Sequence, residues 1–88
     1  MHFYALALWS GKEDLVKEVL RFVDVDRRIE NSRSYLHIAA MTNNLRIFKL
    51  IYDSVQDKLP IDDFGKLPLE VCADKDFQVK LETFLFDD

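Results

Sequence analysis

Ser34 and His37, three residues apart, are where nucleophilic chemistry would be sought first in this chain. A histidine can take the proton of a serine hydroxyl while an acid orients the ring, which is the logic of a hydrolase triad. The rest of that machinery is missing. No nucleophile-elbow pattern surrounds Ser34, and the two glycines, Gly11 and Gly65, stand too far apart to form an oxyanion loop or a phosphate cradle. The acidic pairs Glu13-Asp14, Asp62-Asp63 and Asp87-Asp88 lack the alternate-residue spacing of a calcium loop. Their simpler roles are a helix start, a turn and a solvated tail. His2, His37 and Cys72 are too few to ligate zinc. The expectation is a domain with no catalytic residue, no cofactor, no metal and no small-molecule substrate.

Nucleic acid is the next class to weigh. Arg21, Arg27, Arg28 and Arg33 form a basic cluster, but Asp24, Asp26 and Glu30 interleave with it, and four cations less three anions leave only +1. Phosphate binding needs several uncompensated cations, so a nucleic-acid-associated scaffold ranks last. The formal charge of −4 is unevenly spread: residues 1–51 carry eight basic and six acidic groups (+2), and residues 52–88 carry four and ten (−6). Such a gradient can orient a charged protein partner, or it can simply keep the surface solvated.

The elements that carry these residues read as helices. At 88 residues the chain fits one small domain, and at 49% apolar residues it is too hydrophobic for disorder. A short helix is expected near 2–9, a break at Ser10-Gly11, and a longer helix over about 13–23 with Leu15, Val16, Val19, Leu20 and Val23 on one face. A second short helix falls near 35–42 and a second long one near 45–56, capped by Asn43 or Asn44. Its stripe of Leu45, Phe48, Ile51, Tyr52 and Val55, widened by Ile47 and Leu50, suits a helix packed between two neighbours. Gly65 opens a third unit, Pro68 sits early in its short helix, and Phe77, Leu81, Phe84 and Leu85 mark a last helical stripe. No run of 18 apolar residues is present and the start lacks the basic region and cleavage site of a signal peptide, so a cytoplasmic or nuclear protein with no membrane span is expected. The single cysteine, Cys72, gives no disulfide framework and reads as a small packing residue.

These helices repeat. Ser34-Tyr35-Leu36-His37-Ile38-Ala39-Ala40 recurs in weakened form as Leu67-Pro68-Leu69-Glu70-Val71-Cys72-Ala73 and as His2-Phe3-Tyr4-Ala5-Leu6-Ala7-Leu8. Asn43-Asn44-Leu45-Arg46-Ile47-Phe48-Lys49-Leu50-Ile51 is matched by Gly11-Lys12-Glu13-Asp14-Leu15-Val16-Lys17-Glu18-Val19-Leu20 and more loosely by Asp74–Leu81, which has lost the small polar pair. A period of 33 with a Thr-Pro-Leu-His-x-Ala signature, a preceding turn and a following second helix resembles the ankyrin repeat family over almost the whole length. The resemblance implies an all-α solenoid of about three helix-turn-helix repeats with short projecting loops, as one domain over 1–88 divided near 1–31, 32–64 and 65–88.

It also implies roles. His37 takes the family's structural histidine position, bonding backbone between adjacent repeats, and Ser34 takes the position of a helix-capping hydroxyl. The loops Asp24–Arg33 and Asp57–Lys66 become projecting fingers, with Asp62-Asp63-Phe64-Gly65 as a finger tip. In the first finger Ser32 holds the glycine position, so another turn geometry is expected there. Protein–protein recognition is the implied function, through the fingers and inner short helices: Arg27, Arg28, Glu30, Arg33, Tyr35, Met41, Asp62, Asp63, Phe64 and Lys66. Tyr35, where the family has Pro, is either a binding anchor or a packing residue against the next finger. An alternative is a terminal module of a larger protein, whether an enzyme or not, serving assembly or oligomerisation. Phe3, Tyr4 and Trp9 at one end, and Phe84 and Phe86 at the other, are then interfaces covered by further polypeptide or by a second copy of the chain.

Overall fold

A serine hydroxyl sets the start of the central helix. Ser34 is extended (φ −88, ψ 170), its Oγ accepts from the amide of His37, and the helix α3 runs from Tyr35–Met41. Asn44 does the same for α4, Leu45–Ser54, accepting from the amides of Arg46 and Ile47. Asp74 accepts from Asp76 and Phe77 at the head of α5, Lys75–Phe86. Two earlier helices, α1 (Phe3–Trp9) and α2 (Glu13–Leu20), are separated by Gly11, whose φ of +73 lets the chain reverse. The computed structural model describes residues 3–86, with side chains described from Leu6 onward. Within them there are helices, 3-10 turns and loops but no strand.

The helices form two layers. The inner layer is α1, α3 and a 3-10 segment, Pro68–Val71; the outer layer is α2, α4 and α5. Each inner element packs on the outer helix that follows it, and neighbours within a layer also touch. The one core these contacts enclose is concentrated in the middle. Of its thirteen buried residues, α3 and α4 with the cap Val55 supply nine: Tyr35, Leu36, Ile38, Ala39, Ala40, Ile47, Phe48, Ile51 and Val55. Among the described side chains the flanking helices add Leu8, Val16, Phe77 and Leu81. Tyr52, Phe48 and Phe84 close the far side as a ring cluster, with Phe84 edge-on to both at 5.2 and 6.1 Å.

Several expected boundaries shift for identifiable reasons. The α2 helix stops at Leu20 rather than 23, because Arg21 and Phe22 tighten into bonds to the carbonyls three residues back, and Phe22 stands 75% exposed. Leu15 belongs to the expected stripe yet is 40% exposed, since α2 has an outer-layer neighbour on one side only. The α4 helix ends at Ser54 because Val55 turns extended (φ −88, ψ 152) to bury its side chain. The third short helix is a single 3-10 turn. From Tyr35 to the cap Asn44 is nine residues (44 − 35), whereas from Pro68 to the cap Asp74 is six (74 − 68), which leaves no room for a second turn.

Ser32 also departs from expectation. Its φ is +56 and that of Gly65 is +73, so the serine adopts the left-handed backbone of the glycine 33 positions on (65 − 32). The two loops close alike: Ile29 N–H donates to Arg33 O at 2.8 Å, and Asp62 N–H donates to Lys66 O at 3.1 Å. They differ one residue earlier, where Asn31 is also left-handed at φ 59.

A core this central predicts unequal sensitivity along the chain. Ile51→Ala, at a fully buried site, should cost about 2–5 kcal/mol, whereas Val79→Ala, 58% exposed on α5, should change stability by less than about 0.5 kcal/mol. Urea midpoints of the two variants check this; comparable losses would mean that α5 is as deeply integrated as α4.

Candidate functional site

His37 is the hub of the polar structure and is fully buried. Its Nδ1 accepts from the Ser34 amide at 3.1 Å and lies 2.9 Å from Ser34 Oγ; its Nε2 lies 2.7 Å from Lys66 O. An acceptor at Nδ1 and a carbonyl at Nε2 fix the neutral ring with its proton on Nε2. The imidazole therefore ties α3 to the second projecting loop, and Ser34 and His37 form a reciprocal cap rather than a nucleophile and base. Burial lowers the His37 pKa from its ordinary 6.5, helped by the charges of Arg28 and Arg33, while the Lys66 carbonyl and Asp62 oppose the shift. A second proton would also have to sit at Nδ1, against the Ser34 N–H.

The loop that His37 holds is organised by Asp62. Its Oδ1 accepts from the amides of Phe64 and Lys66 at 2.9 and 3.0 Å, and its Oδ2 lies 3.5 Å from Arg33 Nε. Burial alone would raise this carboxyl, but the Lys66 and Phe64 amides, with the nearby His37 and Arg33, hold it below its ordinary 3.8. The first loop is tied to the second by Arg28, whose Nη1 donates to Ser32 O and Ile61 O, both at 2.7 Å, and by Asp26, which accepts from the amides of Gln56 and Asp57. Asp63 N–H donates to Asn31 O across the gap at 2.9 Å. The two loops thus act as one stiff edge.

Between this edge and the inner layer lies a pocket of about 360 Å³ lined by Arg33, Met41, Phe64, Lys66, Glu70 and Val71. Four of these were expected contact residues. Glu70 and Val71 were not, although Glu70 follows Leu67 by three and accepts its amide at 3.0 Å, a spacing that marks a helix start. Arg27, Glu30 and Asp63 are exposed on the loops but do not line the pocket. Arg28 is occupied in bridging, as are Asp26 and Asp57, which carry no local motif that would reveal it.

Two expected contacts are corrected. Tyr35 is 1% exposed, because the first residue of α3 points its ring into the core cluster, so it packs rather than anchors a partner. Asp62 is 5% exposed and is consumed by its own turn. At the ends, Trp9 is 45% and Phe86 63% exposed, whereas Phe84 is half-buried in the ring cluster with Phe48 and Tyr52 and is not an open end. The side chains of Phe3 and Tyr4, like Met1, His2 and the pair Asp87-Asp88, lie outside the described residues.

Burial, with a contribution from Asp74, raises the Cys72 thiol, which keeps it protonated and a poor nucleophile; its Sγ sits 3.6 Å from Ala40 O. Among the described residues no group of three His, Cys, Asp or Glu could hold a metal ion, and no helix is long and apolar enough to cross a membrane.

The histidine bridge predicts an acid-sensitive fold. With the folded pKa below 6.5, the unfolded chain binds a proton first as pH falls, so the contribution of His37 is complete above about pH 6.5 and is lost below it toward the folded value. Asp62 adds a separate loss below its ordinary 3.8. His37→Leu, which has no donor for Lys66 O, should remove the upper of these two slopes from a plot of urea-unfolding free energy against pH and cost about 1–3 kcal/mol at neutral pH. A slope that survives the substitution would assign the titration elsewhere.

No protein-family model matches the chain, and no curated protein matches it at a significant level.

Proposed function

We propose that the chain is an array of three ankyrin-like units that serves as a non-catalytic protein-binding module, taking its partner between the projecting loops and the inner short helices. The observation that carries this reading is the convergence of Arg33, Met41, Phe64 and Lys66 on one pocket beside loops braced by Arg28, Asp26 and Asp62. Its walls combine exposed apolar surface with charge, the mixture that recognition sites use. The 33-residue spacing of the loop closures and the His37 bridge support the repeat assignment. Burial of Tyr35 moves the anchoring role to Phe64, which is 64% exposed.

A second reading is favoured by a different observation. Leu6, Trp9, Val79 and Phe86 are large apolar residues between 45% and 63% exposed on the first and last helices. They fit a module embedded in a larger assembly, held through its ends.

Capture from a cell lysate on immobilised protein separates the two. A partner bound through the loops should be retained by the wild type and by a Trp9→Ser/Val79→Ser variant, and weakened by about tenfold or more in Phe64→Ala, with the melting temperature nearly unchanged. Retention by Phe64→Ala with loss in the end variant would favour the assembly module instead.

A further inference from the structure

The pocket beside the second loop has unused hydrogen-bond donors. Arg33 Nε faces Asp62 Oδ2 at 3.5 Å without making a hydrogen bond, and no acceptor among the described residues takes its Nη groups. Among the described residues no acceptor takes the exposed Lys66 Nζ, although the Lys66 backbone is fixed at both its amide and its carbonyl. The one acid on the lining, Glu70, has Oε1 occupied by the Leu67 amide. Met41, Val71 and Phe64 supply the apolar part of the same lining. The volume, about 360 Å³, is near the lower end of the roughly 300–1,000 Å³ of ligand pockets, room for one or two side chains rather than a large ligand.

We infer that this pocket takes an acidic segment of a partner protein in which an apolar side chain lies beside a carboxylate. The apolar group packs on Met41, Val71 and Phe64, and the carboxylate lies between Arg33 and Lys66, where charge-assisted hydrogen bonds replace the missing acceptors. This rests on the protein-binding reading of the same pocket. A nucleic-acid strand fits worse. Arg33 and Lys66 are the two cations on the lining, enough for one carboxylate, whereas a chain of phosphates needs several uncompensated cations in a row.

A phage-displayed library of random peptides, panned on the purified chain, tests this without knowledge of the natural partner. Enriched peptides are expected to place Asp or Glu next to an aromatic or long aliphatic residue. Their affinity should fall about tenfold in Lys66→Glu and decline as salt rises. Lys66→Met, which keeps the stem and removes the charge, should show the same direction and covers the case in which the reversal disturbs folding. Peptides without acids that still require Phe64 would overturn the charge assignment and leave protein binding standing. So would a library that yields nothing while lysate capture still depends on Phe64. Peptides that bind Phe64→Ala and Lys66→Glu as tightly as wild type would overturn both readings. An oligonucleotide that binds more tightly than any peptide and is lost in Lys66→Glu would replace the partner class.

Discussion

A closed circuit of polar contacts holds the loops to the helices and fixes the backbone around the pocket. Arg33 faces Asp62, Asp62 accepts the amide of Lys66, the carbonyl of Lys66 lies on His37 Nε2, and His37 Nδ1 accepts the amide of Ser34, the residue next to Arg33. Apart from the 3.5 Å approach of Arg33 to Asp62, an ion pair rather than a hydrogen bond, each link is a hydrogen bond at a buried or half-buried position, where an unpaired group would cost about 1–3 kcal/mol. The circuit also joins two kinds of structure. The helices are held by the core, on which Val25 and Ile29 of the first loop also pack, while Pro60 of the second is buried; directional bonds then set the angle of the loops to the inner layer.

That circuit explains why parts of the fold were legible and others were not. Ser34 announces itself because capping is local, a hydroxyl before an apolar run being sufficient, whereas the His37 bridge to Lys66 O, 29 residues on, was legible only through the resemblance of its segment to a repeat signature. Asn44 and the stripe of Leu45, Phe48 and Ile51 are legible for the same reason, since 3.6-residue periodicity is a property of the segment itself. The burial of Tyr35 is not local. An amphipathic ring at the first helical position faces either way, and the decision is made by how α3 meets the residues around it in the core. Arg28 and Asp26 are equally silent, because their partners Ile61 and Gln56 are about thirty residues away and accept or donate through the backbone, which leaves no side-chain signature.

Backbone conformation gave the other departures. Ser32 stands where Gly65 stands in the next loop and takes the same left-handed region, at a cost of about 1–2 kcal/mol that glycine would avoid. Loop closure through Ile29 and Arg33, with Arg28 bonding Ser32 O, overrides that cost. Tertiary closure here outweighs residue preference. The third short helix shows the reverse case, in which covalent length decides: the stretch from Pro68 to Asp74 is three residues shorter than its counterpart, and no packing energy can lengthen it.

Stiffness at the pocket has an energetic consequence for the protein recognition proposed above. Binding that must order loops and side chains loses about 0.5–1.5 kcal/mol for each immobilised flexible group, and the loops here are already fixed before a partner arrives. The Phe64 amide is held by Asp62, the Lys66 backbone is held at both ends of its peptide unit, and Glu70 is held by Leu67. What stays free is the Lys66 amine and the unbranched thioether of Met41, groups that adapt to a ligand at small cost. A rigid frame with two adaptable contacts favours a partner whose shape varies by a methylene or two while its charge and apolar pattern stay constant. Affinity in such a site is set by the frame, and the frame is set by His37.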